Sequence, residues 1–199
     1  MKNKQLYERY MNRFLEENSK INLISKNEEK FLWEKHVFDS LGAELFFKKY
    51  SNDLNGKTLI DIGTGGGFPA VPLAIRHPEL NVTALDSIRK KLIAIENITN
   101  DLEIKNLKIL HERAENVTNK YDFVTSRAVA TLDKISEYAL PLLKKGGYFI
   151  AYKSRKVDEE IEQARPNIKR LGGEIIDIIE YKLPLEEIYE RNLVIIQKK

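Results

Sequence analysis

The chain has 199 residues, 42% of them hydrophobic, and 33 lysines and arginines against 30 aspartates and glutamates give a net charge of +3. This length predicts one domain, or one domain with a small appendage. The absence of cysteine excludes disulfides, thiolate catalysis and cysteine-type zinc sites. No apolar run approaches the roughly 18 residues of a membrane span, and Met1–Gln5 contains no apolar signal core. We therefore expect a soluble cytoplasmic protein with no metal.

The N-terminal quarter of the chain predicts helices that are separate from the remaining three quarters. Apolar residues recur at helical spacing in two segments, with a polar break at Asn18–Asn27 between them. The two apolar faces are Tyr7, Tyr10, Met11 and Phe14, then Trp33, Val37, Leu41 and Leu45. The turn-rich run Ser51–Gly56 predicts a boundary. It divides the chain into a helical appendage over residues 1–55 and a larger unit over residues 56–199.

Strands and helices alternate from Thr58 onward, which predicts an α/β fold with a doubly wound, mostly parallel sheet. The predicted strands are Thr58–Ile62, Asn81–Leu85, Leu107–Leu110, Tyr121–Ser126 and Gly147–Tyr152. Among the helices between them, one is indicated by the spacing of Ile88, Leu92 and Ile95.

The C-terminal part departs from this alternation. Two strand patterns, Glu174–Tyr181 and Arg191–Gln197, are joined by a loop with no helix. Without a crossover helix the two strands should pair antiparallel. The prediction is therefore a seven-stranded sheet that ends in an antiparallel hairpin, which is the arrangement of the Rossmann-like, class I S-adenosylmethionine-dependent methyltransferases.

The most informative motif is the run TLIDIGTGGGFP at residues 58–69, in which a short apolar strand leads into a glycine turn. Gly63, Gly65 and Gly67 are spaced so that backbone can pass close to a ligand without a Cβ in the way. The prolines after the turn are compatible with the first turn of a helix. Together these features predict a nucleotide-binding corner between a strand and a helix.

The residues around the turn narrow the choice of ligand. Phe68 stands where the dinucleotide fingerprint needs glycine or alanine, and no lysine follows the glycines as a P-loop requires. Asp61 would repel a pyrophosphate. A cationic ligand such as S-adenosylmethionine, which carries a sulfonium and an ammonium, is favoured. A turn without any ligand is the alternative, but three glycines in five residues exceed what a turn needs.

Acidic residues at the ends of the next two strands fit the same cofactor. Asp86 ends the second strand at about the spacing expected of a carboxylate that binds ribose hydroxyls. Its alternative role is to cap the following helix, although Ser87 could do that. Glu115 follows the third strand and lies at the next position along the sheet edge, where an acid can bind the adenine amino group. Glu115 could also be a solvated loop residue.

Arg127 closes the fourth strand, at the edge that faces the reactive end of such a cofactor. An arginine there can pair with the methionyl carboxylate or with an RNA phosphate, and a surface ion pair is the plainer alternative. In the N-terminal segment, His36 and Ser40 share a helical face, with Asp39 within reach. No nucleophile elbow accompanies them, so a helix packed over the cleft is favoured over a catalytic triad. His36 is either a substrate contact or a satisfied, half-buried histidine.

Basic residues near the predicted helix starts and strand ends suggest a rim that binds RNA phosphates. A solvated surface explains them equally well. They are Arg89, Lys90, Lys91, Lys144, Lys145, Lys153, Arg155 and Lys156.

With these residues considered together, the chain resembles the bacterial small-subunit ribosomal RNA guanine-N7 methyltransferase family, also called glucose-inhibited division protein B. The similarity spans most of the chain. The matching positions are Asn22–Ser25, Trp33, His36, Asp39–Leu41, Asp61–Pro72, Ser126–Ala130 and Gly146–Gly147. One departure is Ala70, where relatives often carry glycine; it lies beyond the tight turn, so we expect little effect.

The resemblance implies S-adenosylmethionine contacts at Gly63, Phe68, Ala114, Glu115 and Arg127, beside those that the pattern itself predicts. It also implies that the substrate is 16S ribosomal RNA, in the 530 loop of the decoding region, within the small ribosomal subunit or its precursor. We expect Arg127 and His36 to serve the catalytic step. Guanine N7 carries a lone pair and no proton, so methyl transfer to it needs no general base.

Two alternatives remain open at this point. One is a methyltransferase of the same fold that acts on a small molecule or a protein. The other is a ribosome-assembly factor that binds the cofactor without turnover. A nicotinamide-dependent dehydrogenase is less favoured, because Phe68 interrupts the fingerprint.

Overall fold

The computed structural model describes residues 3–154, 157–187 and 189–199. These residues form a seven-stranded sheet with the order β3-β2-β1-β4-β5-β7-β6. The strands are β1 (Thr58–Ile62), β2 (Asn81–Asp86), β3 (Leu107–His111), β4 (Tyr121–Arg127), β5 (Leu143–Ser154), β6 (Gly173–Leu183) and β7 (Tyr189–Lys198). β1 to β5 are parallel, and β7 is antiparallel to both β5 and β6. The predicted fold class and the antiparallel hairpin are confirmed.

Helices cover both faces of the sheet. They are α4 (Ala70–Arg76), α5 (Arg89–Asp101), α6 (Leu132–Ala139) and α7 (Asp158–Arg170). Alternate residues of β1 face opposite cores: Ile60 packs with α6 and α7, whereas Leu59 packs with α4. This two-sided burial explains why the parallel strands read as nearly continuous apolar runs.

The N-terminal segment folds as α1 (Lys4–Ile21), α2 (Lys26–Glu29), a π-helix (Leu32–Phe38) and α3 (Ala43–Tyr50). The predicted helical face from Trp33 to Leu45 is wrong in part, because it is divided between the π-helix and α3. Leu45 is exposed, since α3 buries Phe46 and Phe47 instead.

The polar break between the first two helices is shorter than predicted. α1 continues through Asn18 and ends at Ile21, and Asn22 adopts the left-handed conformation with φ 52°. Asn18 is buried, and its side-chain oxygen accepts a 2.8 Å hydrogen bond from the backbone N–H of Ile24. A polar residue in the last turn of α1 therefore ties down the connection to α2 instead of ending the helix.

The N-terminal helices share a core with the larger unit. Tyr10 and Phe14 of α1 are fully buried and pack against Phe68 of the glycine turn and Ile95 of α5. The ring centroids of Phe14 and Phe68 are 5.1 Å apart. The division at residues 55 and 56 stays a prediction, and the shared core ties α1 directly to the glycine turn.

The topology assembles the functional edge. The carboxyl ends of β1, β2 and β4 meet where the strand order reverses, which is the usual position of ligands in open α/β sheets. The start of the antiparallel β7 lies at the same edge, because Arg191 pairs with Ser154 at the end of β5. Among the described helices, none is both long and apolar enough to cross a membrane.

We predict that Phe14→Ala lowers the free energy of unfolding by about 3–5 kcal/mol, because it leaves a cavity between α1 and the glycine turn. Asn12→Ala, on the exposed side of the same helix, is the control and should change it by no more than about 0.5 kcal/mol. Urea denaturation measures both. Equal stabilities of the two variants would show that α1 is not part of this core.

Candidate active site

A cavity of about 1240 Å³ opens between the carboxyl edge of the sheet and the N-terminal helices. Typical small-molecule sites measure roughly 300–1000 Å³, so there is room for a cofactor and part of a second molecule. The walls come from the glycine turn, the ends of β2, β4 and β5, the segment from α2 through the π-helix, and the start of β7.

The three predicted glycines have different roles, although all adopt positive φ angles. Gly63 and Gly65 line the cavity. A Cβ on Gly65 would have no neighbour closer than 3.9 Å, so the missing side chain leaves open space there. Gly67 does not line the cavity: a Cβ there would meet Val71 at 2.8 Å. Gly67 permits close packing against α4, and its predicted cofactor contact stays a prediction.

Asp86 anchors the glycine turn to the end of β2. Its Oδ2 accepts a 2.9 Å hydrogen bond from the Gly65 N–H, and its Oδ1 accepts a 2.8 Å bond from the Ile88 N–H. Asp86 lines the cavity, and each carboxylate oxygen retains a lone pair for a ribose hydroxyl. Ile88 occupies the N-cap position of α5, so Asp86 is not the cap itself.

Ile88 is a site residue that the sequence reasoning missed. The apolar spacing groups it with Leu92 and Ile95 in a helix, but it is 41% exposed and lines the cavity. Leu92 and Ile95 from the same pattern are buried. Its position in the sequence could have identified it. Ile88 comes two residues after Asp86, the candidate for ribose binding, and just before α5 begins. An apolar side chain there can cover an adenine ring.

Arg127 lies at the cavity wall and is held by the π-helix region. Its guanidinium donates to Asp39 Oδ2 at 2.9 Å and to the carbonyl of Lys35 at 3.1 Å. It also lies 5.2 Å from the centroid of the Phe68 ring. Asp39 is buried and, besides Arg127, has Arg191 at 3.6 Å. The surface ion pair considered for Arg127 is therefore wrong, since Asp39 is buried and the Arg127 side chain is only 15% exposed.

The sequence reasoning did not place Arg191 and Tyr189 in the site. Both line the cavity, and the guanidinium of Arg191 lies 4.9 Å from the centroid of the Tyr189 ring. Only the antiparallel direction of β7 brings its first residues to this edge.

His36 is neutral and has a defined tautomer. Burial, together with the positive charges of Arg127 and Lys35, lowers the pKa of His36 to about 3. A guanidinium only donates, so His36 Nδ1 accepts from Arg127 at 3.2 Å and the proton is on Nε2. Nε2 is buried and has no hydrogen-bond partner among the described residues. His36 lines the cavity, as a substrate contact requires.

No catalytic triad forms around His36 in the described part of the chain. The hydroxyl of Ser40 donates to the carbonyl of His36 at 2.6 Å, and Ser40 is fully buried. Asp39 binds Arg127 instead of the imidazole. The preferred interpretation of this segment, a helix packed over the cleft, is confirmed, although the helix is of the π type.

Asp61 is buried beneath the turn and does not line the cavity. Thr125 donates a 2.9 Å hydrogen bond to Asp61 Oδ1, while Oδ2 and the nearby Thr64 hydroxyl make no hydrogen bond of ordinary geometry with the described residues. Burial raises the pKa of Asp61 from 3.8 to about 7, although polar neighbours and the charge of Arg127 lower it. Because Asp61 does not line the cavity, its charge can influence a ligand there only through its electric field and not by direct contact.

Two predicted cofactor residues lie away from the cavity lining. Ala114 and Glu115 belong to a 3₁₀ turn at Ala114–Asn116 after β3. Glu115 is exposed and forms a 3.5 Å ion pair with Arg113. Their contacts with the cofactor stay predictions.

The predicted basic rim is only partly assembled. Lys91 and Lys153 line the cavity, together with Lys35, which the sequence reasoning did not include. Lys144 and Lys145 lie at the start of β5, at the opposite edge of the sheet, so their assignment to the rim is wrong. Because β5 runs parallel to β4, its first residues lie at the edge opposite the carboxyl ends of the strands. Arg89 and Lys90, at the start of α5, do not line the cavity. The last two predicted members, residues 155 and 156, lie outside the described residues.

The titration of Asp61 gives a test of its environment. Between pH 3.8 and about 7 the folded state binds the proton more readily than the unfolded state, so this carboxyl's contribution to stability falls as pH rises through that window. Asp61→Asn cannot ionise, and its amide oxygen can still accept from Thr125. We predict that the melting temperature of the variant relative to wild type rises between pH 5 and pH 8. A pH-independent difference would contradict the raised pKa.

Comparisons with solved structures agree with this fold. The M. jannaschii TYW2 protein in complex with AdoMet superposes with a TM-score of 0.60, at 17% identity over 80% of this chain and 74% of that one. The magnesium protoporphyrin IX methyltransferase of Synechocystis with bound SAM gives 0.63, at 16% identity over 82% of this chain and 80% of that one. These likenesses show a shared fold.

Sequence comparisons find relatives that are more similar to this chain than those structures are. The family model described as rRNA small subunit methyltransferase G matches residues 3–189. The protein named ribosomal RNA small subunit methyltransferase G of Staphylococcus saprophyticus is 42% identical over 100% of this chain and 83% of its own length. Its namesake in Bacillus subtilis is 40% identical over 96% of this chain and 81% of its own. The chain belongs to the rRNA small subunit methyltransferase G family.

Proposed function

We propose that the protein is an S-adenosylmethionine-dependent methyltransferase that methylates N7 of a guanine in 16S ribosomal RNA, within the small subunit or its precursor. The observation that carries the proposal is the cavity in which the open glycine turn and Asp86 face the Arg127–His36 wall. Family membership supports the RNA substrate, because the relatives are named for the RNA of the small subunit.

The residues present fit the cofactor. Gly65 leaves open space at the turn, and Asp86 beside it offers lone pairs to two ribose hydroxyls. The exposed side chain of Ile88 can cover an adenine face. Arg127 has further N–H groups besides those that it donates to Asp39, Lys35 and His36, and these can bind the methionyl carboxylate. When bound, the cofactor supplies an electrophilic methyl group on a sulfonium.

The protein's contribution to the reaction is positioning and electrostatics. Guanine N7 attacks with its own lone pair, so no side chain has to remove a proton first. His36 agrees with this, since its lowered pKa keeps it neutral and its Nδ1 is occupied by Arg127. The buried pair of Arg127 and Asp39 holds this wall in place before substrate arrives, so little reorganisation is needed during transfer.

The proposal predicts transfer of labelled methyl groups from S-adenosylmethionine to 16S RNA, with small subunits or their precursors better substrates than free RNA. Nuclease digestion and mass mapping should find the label on N7 of a single guanine. Binding to RNA should weaken steeply with salt, because cationic side chains near the cavity displace counterions. Labelling of a metabolite without RNA would support the small-molecule alternative, and cofactor binding without any transfer would support an assembly factor.

A pair of glycine variants tests the cofactor site. Gly65→Ala should lower the affinity for S-adenosylmethionine at least about tenfold, because its methyl group projects into the open space beside Asp86. Gly56→Ala is the matched control: it has a similar positive φ, 70° against 57°, open space around its Cβ, and lies outside the cavity lining. Alanine at position 56 has a similar conformational cost, because its φ is also positive, and the variant should bind S-adenosylmethionine with wild-type affinity. Calorimetric titration that finds equal affinities would remove the turn from the cofactor site.

A further inference from the structure

Four carboxylates line the cavity in the described part of the chain, and three of them have an ion-pair partner or backbone N–H donors. Asp39 and Glu160 form ion pairs, and both oxygens of Asp86 accept backbone N–H groups. Glu28 differs, because it accepts only a 3.2 Å hydrogen bond from the hydroxyl of Ser25 and has no described lysine or arginine within ion-pair distance. Of the four, Glu28 therefore has the weakest contacts within the protein, and it is available to a ligand other than the ribose that we assign to Asp86.

Glu28 faces the free N–H of His36. Glu28 Oε1 lies 3.9 Å from His36 Nε2, which is buried and unpartnered among the described residues, and both side chains line the cavity. Because Arg127 occupies Nδ1, the imidazole carries its proton on Nε2, the nitrogen that lies 3.9 Å from Glu28. This separation is too long for a hydrogen bond, so the imidazole N–H and the carboxylate are both available to a ligand.

We propose that Glu28 is a catalytic and specificity-determining residue that accepts hydrogen bonds from the N1–H and N2–H groups of the target guanine. The inference rests on the proposed function. Guanine presents these two donors side by side, which suits a carboxylate, whereas adenine presents an acceptor at N1. The donors lie on the far side of the purine from N7, so this contact leaves N7 free to react. Recognition of an unstacked base by its Watson–Crick edge is common in enzymes that modify nucleic acids.

The same contact assists the chemical step. The N7 lone pair forms the new bond to the methyl carbon, the carbon–sulfur bond breaks with its electron pair left on sulfur, and the positive charge passes to the base. No proton has to leave. The charged base makes N1–H a stronger donor, so its hydrogen bond to Glu28 is stronger in the transition state than in the ground state. That difference accelerates the reaction.

A purely structural role for Glu28 makes a different prediction. The run Ser25-Lys26-Asn27-Glu28 has the sequence of a helix capping box, with Ser25 at the N-cap of α2, but Ser25 makes no side-chain capping hydrogen bond and its hydroxyl donates to Glu28 instead. Glutamine fits the same sequence pattern and can also accept from this hydroxyl. Glu28→Gln therefore preserves the local contact while it removes the charge and one of the two acceptors.

The experiment uses small subunits reconstituted with either guanosine or inosine at the methylated position. Inosine lacks the exocyclic amino group and keeps N1–H. For the wild type, inosine should lower kcat/KM about 10- to 100-fold, and Glu28→Gln should lower it by a similar factor on guanosine. On inosine, where only the N1–H contact remains, Glu28→Gln should lower kcat/KM by a smaller factor than it does on guanosine. Glu29→Gln is the control: it has the same charge change on the same helix, outside the cavity lining.

Equilibrium binding without S-adenosylmethionine supplies a second readout. The wild type and Glu29→Gln should prefer guanosine subunits to inosine subunits, and Glu28→Gln should not, while phosphate contacts keep overall affinity similar. A folded Glu28→Gln protein with wild-type rates, or with an undiminished penalty for inosine, would overturn the inference. Failure of the wild type to methylate any subunit would instead refute the proposed function.

Discussion

The buried ion pair between Asp39 and Arg127 holds the candidate site together. Arg127 ends β4 and Asp39 follows the π-helix, so a single contact of 2.9 Å fixes the N-terminal segment over the carboxyl edge of the sheet. The pair has further partners, because Arg127 lies against the Phe68 ring and Asp39 accepts a 2.6 Å hydrogen bond from Tyr181. Removing one partner of such a pair leaves an uncompensated buried charge, which typically costs about 3–5 kcal/mol.

This arrangement contributes to the charge state of the cavity wall. Burial lowers the pKa of His36, the positive charge of Arg127 lowers it further, and Arg127 occupies the imidazole Nδ1. It also favours the ionised form of Asp61 beneath the turn, against the larger effect of burial. The result is a wall with a fixed cation, a neutral donor and an available carboxylate at Glu28. Such a wall suits a reaction in which positive charge moves onto a base and no proton is abstracted.

The parts of the fold and site that depend on local pattern were predictable from the sequence. The predicted bounds of β1 agree with the observed ones, because this strand is an apolar run that ends at a glycine turn. Asp86 and Gly65 follow from the same strand–turn–helix logic, and the structure joins them by a hydrogen bond.

Features that depend on tertiary packing were not predictable. Gly67 has a positive φ like Gly65, but it lies outside the cavity lining, and a Cβ there would meet Val71 at 2.8 Å. Ile88 continues a helical apolar spacing yet precedes the helix and faces the cavity. Tyr189 reaches the site only because β7 runs antiparallel to β5. The partner of Arg127 lies 88 positions away in the chain, in a segment whose π-helical form no local pattern indicates.

A crystal structure of the protein with S-adenosylhomocysteine would test most directly whether the Asp39–Arg127 pair preorganises the site. We expect the ribose hydroxyls on Asp86, the adenine against Ile88, and the amino-acid end beside Gly65 and Arg127, with the Asp39–Arg127 pair intact. Glu28 and His36 should then face the remaining open part of the cavity. A ligand bound elsewhere, or one that displaces Arg127 from Asp39, would contradict the claim that this ion pair preorganises the site.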